Sequence, residues 1–197
     1  MGRTLHPYYC WESSVPSFIC DEIVKEYNSI GTFTDGFISD ETLNGDKNVR
    51  KSNIIFSHTN WINAMMCGYI FGANSINFKY ELSEIDKERF QFSKYVKGDY
   101  YHLHRDWSTE LDDLPHTRKL SATLQLSDSD DYEGGDLLID MFGYYVNNNK
   151  HDIMHTMNRS KGSVIVFDSR MPHEITPVTK GTRYSLVKWV HGDTPLR

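Results

Sequence analysis

"YVKGDYYHLHRDW", Tyr95 to Trp107, joins two β-prone runs across Gly98 and closes on two histidines and an aspartate. Successive side chains on a strand point to opposite faces, so residues two apart share one. That rule puts His104 and Asp106 on a common face, with His102 on it too. An imidazole beside a carboxylate supplies two of the three ligands of a 2-His-1-carboxylate facial triad, a set that leaves metal positions open. H-x-D alone is a weak signal in a chain with 9 histidines, so the surrounding sequence has to supply the third ligand.

Downstream, "GSVIVFDSRMPHEITPVTKGTRYSLVKWV" from Gly162 to Val190 places His173 after a strongly β-prone run. Ten residues later, alternation groups Arg183, Ser185, Val187 and Trp189 on one face, with Tyr184, Leu186 and Val190 on the other. An arginine on a mostly interior face needs an anion, because an unpaired buried charge is costly. Its planar fork suits a carboxylate, and Ser185 can add a hydroxyl donor.

Period-two patterning holds over most of the second half of the chain. "INFKYELSEI", "RFQFSKYV", "SATLQLS", "GDLLIDMF", "GSVIVFDS" and "RYSLVKWVHG" read as short strands separated by turn residues. The first half reads differently. Cys20, Ile23, Val24 and Tyr27 repeat at helical spacing after Pro16-Ser17, and Asn60 is placed to cap a second helix with Trp61, Ile62, Met65, Met66 and Tyr69 as its apolar stripe. Helices followed by many strands predict an α+β, mainly β domain built on a sandwich or small barrel. The expected division is one domain over 1–197, with helical support to about 75 and a β core from about 76 to 192.

Composition narrows the function classes. A net charge of −6 disfavours a nucleic-acid partner, which needs clustered Lys and Arg. No apolar run is long enough for a membrane span, and the N-terminus lacks a secretory pattern, so a cytoplasmic chain is expected. Cys10, Cys20 and Cys67 form no C-x-x-C pair, leaving histidine and carboxylate to hold any metal.

Tyr95, Gly98, Tyr101, His104 and Asp106 together match the pattern Y-x2-G-x2-Y-x2-H-x-D, and His173, Pro177-Val178-Thr179, Arg183, Ser185 and Trp189 match its distal half. In these residues the chain resembles the Fe(II)/2-oxoglutarate-dependent dioxygenases of the prolyl 4-hydroxylase-like family, over roughly Phe90 to Gly192. The resemblance implies a double-stranded β-helix, or jelly roll, supported by the N-terminal helices. It implies Fe(II) on His104, Asp106 and His173, with 2-oxoglutarate as cosubstrate and O2 as oxidant. The cosubstrate's far carboxylate would rest on Arg183, helped by Tyr95, Ser185 and Gln125; Thr123 shares the face of Gln125, where some relatives carry a tyrosine. The implied reaction hydroxylates a C–H bond, with succinate and CO2 released and ascorbate as activator. The leading substrate is a proline-containing protein or peptide. A free amino acid or other small molecule, or a non-catalytic jelly-roll binding module, are the alternatives.

The family spacing selects His104 over His102, which becomes a neighbour at the pocket mouth. Tyr101 is expected behind the site, and Trp189 in the core. Arg118 is ambiguous between a substrate carboxylate and the nearby "DSDD" of Asp128–Asp131. "HDIMH" offers His151 and His155 at i, i+4 but reads as a solvated loop. Segments 35–53 and 143–161 are the natural places for a substrate-covering flap.

Overall fold

The computed structural model describes residues 6–36, 49–83, 88–107, 116–141 and 154–193. Its elements in chain order are β1 (Tyr8–Trp11), α1 (Ser17–Ile30), β2 (Thr34–Asp35), β3 (Arg50–Lys51), β4 (Asn53–Ser57), α2 (Asn60–Ala73), β5 (Phe90–Val96), β6 (Tyr100–His104), β7 (His116–Gln125), β8 (Tyr132–Gly134), β9 (Leu137–Asp140), β10 (Met154–Thr156), β11 (Val164–Asp168), β12 (His173–Ile175) and β13 (Val178–Asp193). The larger sheet runs β1-β11-β7-β13-β5-β4-β2, with β8 pairing β13, and the smaller runs β10-β9-β12-β6-β3. The fold is mainly β and of the jelly-roll type expected.

Alternation along the central strands divides the protein into two apolar layers. Phe90 and Phe92 of β5, Leu120 and Leu124 of β7, and Leu186 and Val190 of β13 face Cys20, Ile23 and Tyr27 of α1 and Ile62, Met66 and Ile70 of α2. Each such side chain stabilises the fold by roughly 1.5–3 kcal/mol when fully buried. The opposite faces of the same strands close over the smaller sheet, where Tyr95, Leu137, Ile139, Phe167 and Ile175 pack. The polar residues of that inner face line the functional cavity.

Several N-terminal expectations are corrected. The stretch up to residue 75 is not purely helical support, because β1 extends the larger sheet beside β11 and β4 pairs with β5. Asn60 is the first helical residue rather than the cap; Thr59 holds the cap position and its hydroxyl lies 2.9 Å from that of Tyr27. Trp61 is 46% exposed, so the buried stripe of α2 starts at Ile62. The described part of "INFKYELSEI", residues 76–83, does not form a strand: Asn74–Phe78 continue the second helix as a π-helical turn. Side-chain amides take the place of a neighbouring strand there. Asn74 bonds both backbone groups of Tyr80, and Asn77 bonds both of His6.

Gly181 is required where β13 leaves β8. Its φ is +73°, and a Cβ there would lie 2.0 Å from the Asp131 carbonyl oxygen. Gly181→Ala is expected to lower stability by about 3 kcal/mol. Gly68, on an open face of α2, meets nothing within 4 Å. There alanine is expected to stabilise by up to about 1 kcal/mol. Urea-denaturation midpoints of the two variants should move in opposite directions.

Candidate active site

His104 ends β6 and His173 begins β12, and the two are direct cross-strand partners. Asp106 follows β6, with its backbone N–H donating to the Ser169 carbonyl at 3.1 Å. The Nε2 atoms of His104 and His173 lie 3.7 Å and 3.5 Å from the two carboxylate oxygens of Asp106. One ligand atom from each of the three residues falls within 4.8 Å of the others. Each imidazole is oriented through its other nitrogen: His104 Nδ1 meets the His102 carbonyl at 2.8 Å, and His173 Nδ1 the Met171 carbonyl at 2.9 Å. These contacts place the proton on Nδ1 and leave the Nε2 lone pairs directed at the common point. Ser121 Oγ–H donates to Asp106 Oδ2 at 2.7 Å. Two neutral imidazoles and one carboxylate, each held from behind, fit an octahedral ferrous ion with open positions.

Protonation favours this arrangement. Burial, then the neighbouring His173, holds the His104 imidazole down to about 3 from 6.5. Burial raises the Asp106 pKa, but the facing imidazoles, Arg118 and the Ser121 hydroxyl outweigh it and hold the carboxyl at about 2. Between pH 6.5 and 3 the unfolded chain takes up a proton at position 104 that the folded protein excludes. Stability from this group is therefore complete above about pH 6.5 and falls on acidification, by up to about 1.4 kcal/mol per pH unit. Chelator-stripped protein is expected to show a lower urea midpoint at pH 5 than at pH 7.5, with a smaller difference in His104→Gln.

A cavity of about 200 Å³ opens beside the trio. Arg183, Ser185, Val187 and Trp189 all line it, as alternation along β13 predicts. Arg183 is 1% exposed, and its guanidinium donates to Gln125 Oε1 at 3.0 Å and to Ser185 Oγ at 3.2 Å. Tyr95, its cross-strand partner, lies with its ring 5.5 Å from the guanidinium carbon. Among the described residues all partners of this buried cation are neutral, and its Nε has no acceptor. Ser185 accepts from Arg183 and keeps its own hydrogen to donate. Thr123 lines the same cavity.

Other residues are placed differently from expectation. Tyr101 lines the cavity instead of packing behind it, and its ring stacks on His104 with centroids 3.5 Å apart. His102 is exposed, lies against Tyr100 and does not line the cavity. One irregularity explains both. Between the pairs His104–His173 and Tyr101–Ile175, β6 spends three residue steps where β12 spends two. The extra residue is a β-bulge, which reverses alternation and turns Tyr101 to the side of His104. Arg118 pairs with Glu88, not with the Asp128–Asp131 segment, and stacks on Trp189 at 4.1 Å. Trp189 is both nearly buried and part of the cavity wall. His155 lies on strand β10, whereas His151 is outside the described residues, as are 37–48 and 143–153 of the two flap segments.

Sequence reasoning missed Gln91, Ser121 and Arg50. The first was within reach, since Gln91, Ser93 and Tyr95 alternate onto one face of β5. Ser121 likewise shares the face of Thr123 and Gln125. Arg50 carries no such signal, because it lies on a two-residue strand and the sequence before it shows no apolar periodicity.

Comparison with known proteins agrees with this geometry. Residues 90–191, more than half of the chain, match the 2OG-Fe(II) oxygenase superfamily, and the chain belongs to it. It is 34% identical over 105 residues to a PKHD-type hydroxylase of Cupriavidus pinatubonensis and 35% identical over 105 residues to one of Acinetobacter baumannii. These alignments cover 50% of this chain and 41% of each relative, so the chain spans less than half the length of the curated relatives it matches. Among solved structures, a Pseudomonas putida prolyl-4-hydroxylase superposes with TM-score 0.71 at 19% identity, covering 96% of this chain and 95% of that one. A Trichoplax adhaerens prolyl hydroxylase, solved with a hypoxia inducible factor oxygen degradation domain peptide fragment, gives TM-score 0.71 at 18% identity, covering 94% and 84%. At such identities the likeness is one of fold. Among the described residues, no helix is long and apolar enough to cross a membrane.

Proposed function

We propose that the protein is an Fe(II)- and 2-oxoglutarate-dependent dioxygenase that hydroxylates a C–H bond of a peptidyl proline. The observation that carries this reading is the convergence in one cavity of the His104–Asp106–His173 trio and the counter-ion-free guanidinium of Arg183. Iron held there supplies the oxidative decarboxylation of 2-oxoglutarate to succinate and CO2, coupled to transfer of one oxygen atom of O2 into the substrate C–H bond.

The residues of the chain have separate tasks in this reaction. His104, Asp106 and His173 would hold the metal. Arg183 takes the cosubstrate's far carboxylate in its fork, with Gln125 fixing the guanidinium plane and Ser185 and Tyr95 completing the pocket. Val187, Trp189, Leu137 and Ile175 give the cavity apolar walls that exclude water. Prolyl specificity rests on the resemblance of the motifs and on the fold shared with prolyl hydroxylases. Ascorbate is proposed as activator by the same resemblance. A non-catalytic binding module accounts poorly for this site, because it has no use for both a metal trio and a buried carboxylate clamp.

The test is succinate release from 2-oxoglutarate with Fe(II), ascorbate and air, together with mass spectrometry of proline-containing peptides. Succinate formation and a gain of one oxygen on proline are expected. Absence of turnover above that of His104→Ala refutes the enzyme reading, and turnover without prolyl oxidation refutes the substrate.

A further inference from the structure

Three arginines line the cavity. Arg118 is neutralised by Glu88, and Arg183 is assigned above to the cosubstrate. The third, Arg50, is 6% exposed and meets only neutral groups. Its Nε donates to Ser52 Oγ at 2.7 Å and its Nη1 to Gln91 Oε1 at 3.3 Å, while Nη2 has no acceptor. Its carbon lies 4.6 Å from the centre of the Tyr101 ring. Among the described residues no carboxylate is within ion-pair distance. The side chain is also held firmly in place. The Gly36 backbone approaches so closely that a Cβ there would fall 2.5 Å from Ser52 Oγ and 2.9 Å from Arg50 Nε.

A buried cation contacted only by dipoles and an aromatic face is undercompensated. The cosubstrate does not cure this. Arg183 is in register with Tyr95 of β5, whereas Arg50 bonds the side chain of Gln91, a strand position about 13 Å from Tyr95 along β5. Among the described residues the two guanidiniums share no hydrogen-bond or ring partner, and the cosubstrate's far carboxylate is already assigned to Arg183. A divalent metal, the Asp106 carboxylate, a doubly charged cosubstrate and the two unneutralised arginines leave one positive charge over. That charge stands one aromatic ring away from a metal ligand, since Tyr101 stacks on His104 and lies under Arg50.

We propose that Arg50 is a second carboxylate subsite and that the substrate hydroxylated here carries a carboxylate close to the oxidised carbon. The inference rests on the reading of the site as an Fe(II)/2-oxoglutarate centre and narrows its substrate class. Two sources offer the same chemistry: an acidic side chain flanking the oxidised residue of a peptide, or the α-carboxylate of a free amino acid. Gln91 and Ser52 set the plane of the guanidinium, and Tyr101 limits the space between it and the metal.

The experiment is calorimetric binding to full-length protein loaded with Mn(II) and 2-oxoglutarate, which removes turnover from the readout. The probes are proline-centred hexapeptides with Asp or Asn at each flanking position, and L-proline against L-prolinamide. In at least one pair the carboxylate form is expected to bind about tenfold or more tightly than its neutral isostere. The pair that responds identifies the source. The preference should vanish in Arg50→Gln and persist in part in Arg50→Lys. No preference in either wild-type pair, or a preference that survives Arg50→Gln, overturns the proposal and leaves Arg50 as a support for Tyr101. The wild-type comparison stands even if a variant fails to fold. Failure of the parent reading is distinguished by loss of Fe(II)-dependent succinate release in the wild type.

Discussion

Asp106→Ala is expected to abolish metal-dependent turnover of 2-oxoglutarate, with succinate release falling by at least about a thousandfold. Asp106 brings the only negative charge of the trio, and both imidazole Nε2 atoms converge on its two oxygens. Removing it leaves two neutral ligands facing a dication across a buried cavity, an arrangement that neither balances charge nor fixes coordination geometry. The loss should exceed that from Ser121→Ala, which removes only the hydrogen bond orienting Asp106 Oδ2. Partners one step out from a metal typically cost about 10- to 100-fold in affinity or activity. Mn(II) titration followed by calorimetry, beside the succinate assay, checks both variants. Equal losses in the two would contradict the assignment of Asp106 as a ligand and Ser121 as its support.

Arg183→Ala is expected to raise the apparent KM for 2-oxoglutarate by about a hundredfold or more while Mn(II) binding stays within about twofold of wild type. The alanine variant loses the buried cation that faces the cosubstrate, and leaves Gln125 Oε1 and Ser185 Oγ without their donor. Arg183→Lys should recover only part of the loss, because a point charge replaces the fork that grips a carboxylate in two places. Unchanged cosubstrate affinity in the alanine variant would refute the clamp. Loss of metal affinity would instead mark Arg183 as a structural support of the trio.

Much of the site could be read from local rules. On β13 alternation runs without interruption from Arg183 to Trp189, because the strand is continuously paired with β5 over Thr182–Val187 and with β7 over Ser185–Val190. The placement of Arg183 and of the cavity wall on that face therefore follows from period two. Helix α1 was equally legible, since its buried positions Cys20, Ile23 and Tyr27 keep helical spacing. Failures arise where a nonlocal partner overrides the local pattern. "INFKYELSEI" alternates as a strand does, yet the Asn74 side chain bonds both backbone groups of Tyr80 at the exit of a helical turn, and Asn77 ties that turn to the backbone of His6, 71 residues away. Arg118 found Glu88 thirty residues away instead of the acids closer in sequence.

Residue order by itself determined a mainly β fold, the identity of the His104, Asp106 and His173 trio, and a buried arginine on the inner face of β13. The fold and the arginine need only alternation and the cost of an unpaired buried charge, and the choice of the trio needs in addition the resemblance to the family motif. Tertiary structure alone decided how the cavity is walled. The bulge in β6, visible only from its pairing with β12, brings Tyr101 onto His104 and sends His102 out to solvent. The docking of β3 beside β6 carries Arg50 into the cavity from a stretch without periodicity. Both depend on which strands become neighbours, a choice made by packing between segments far apart in the chain, so no local pattern records it.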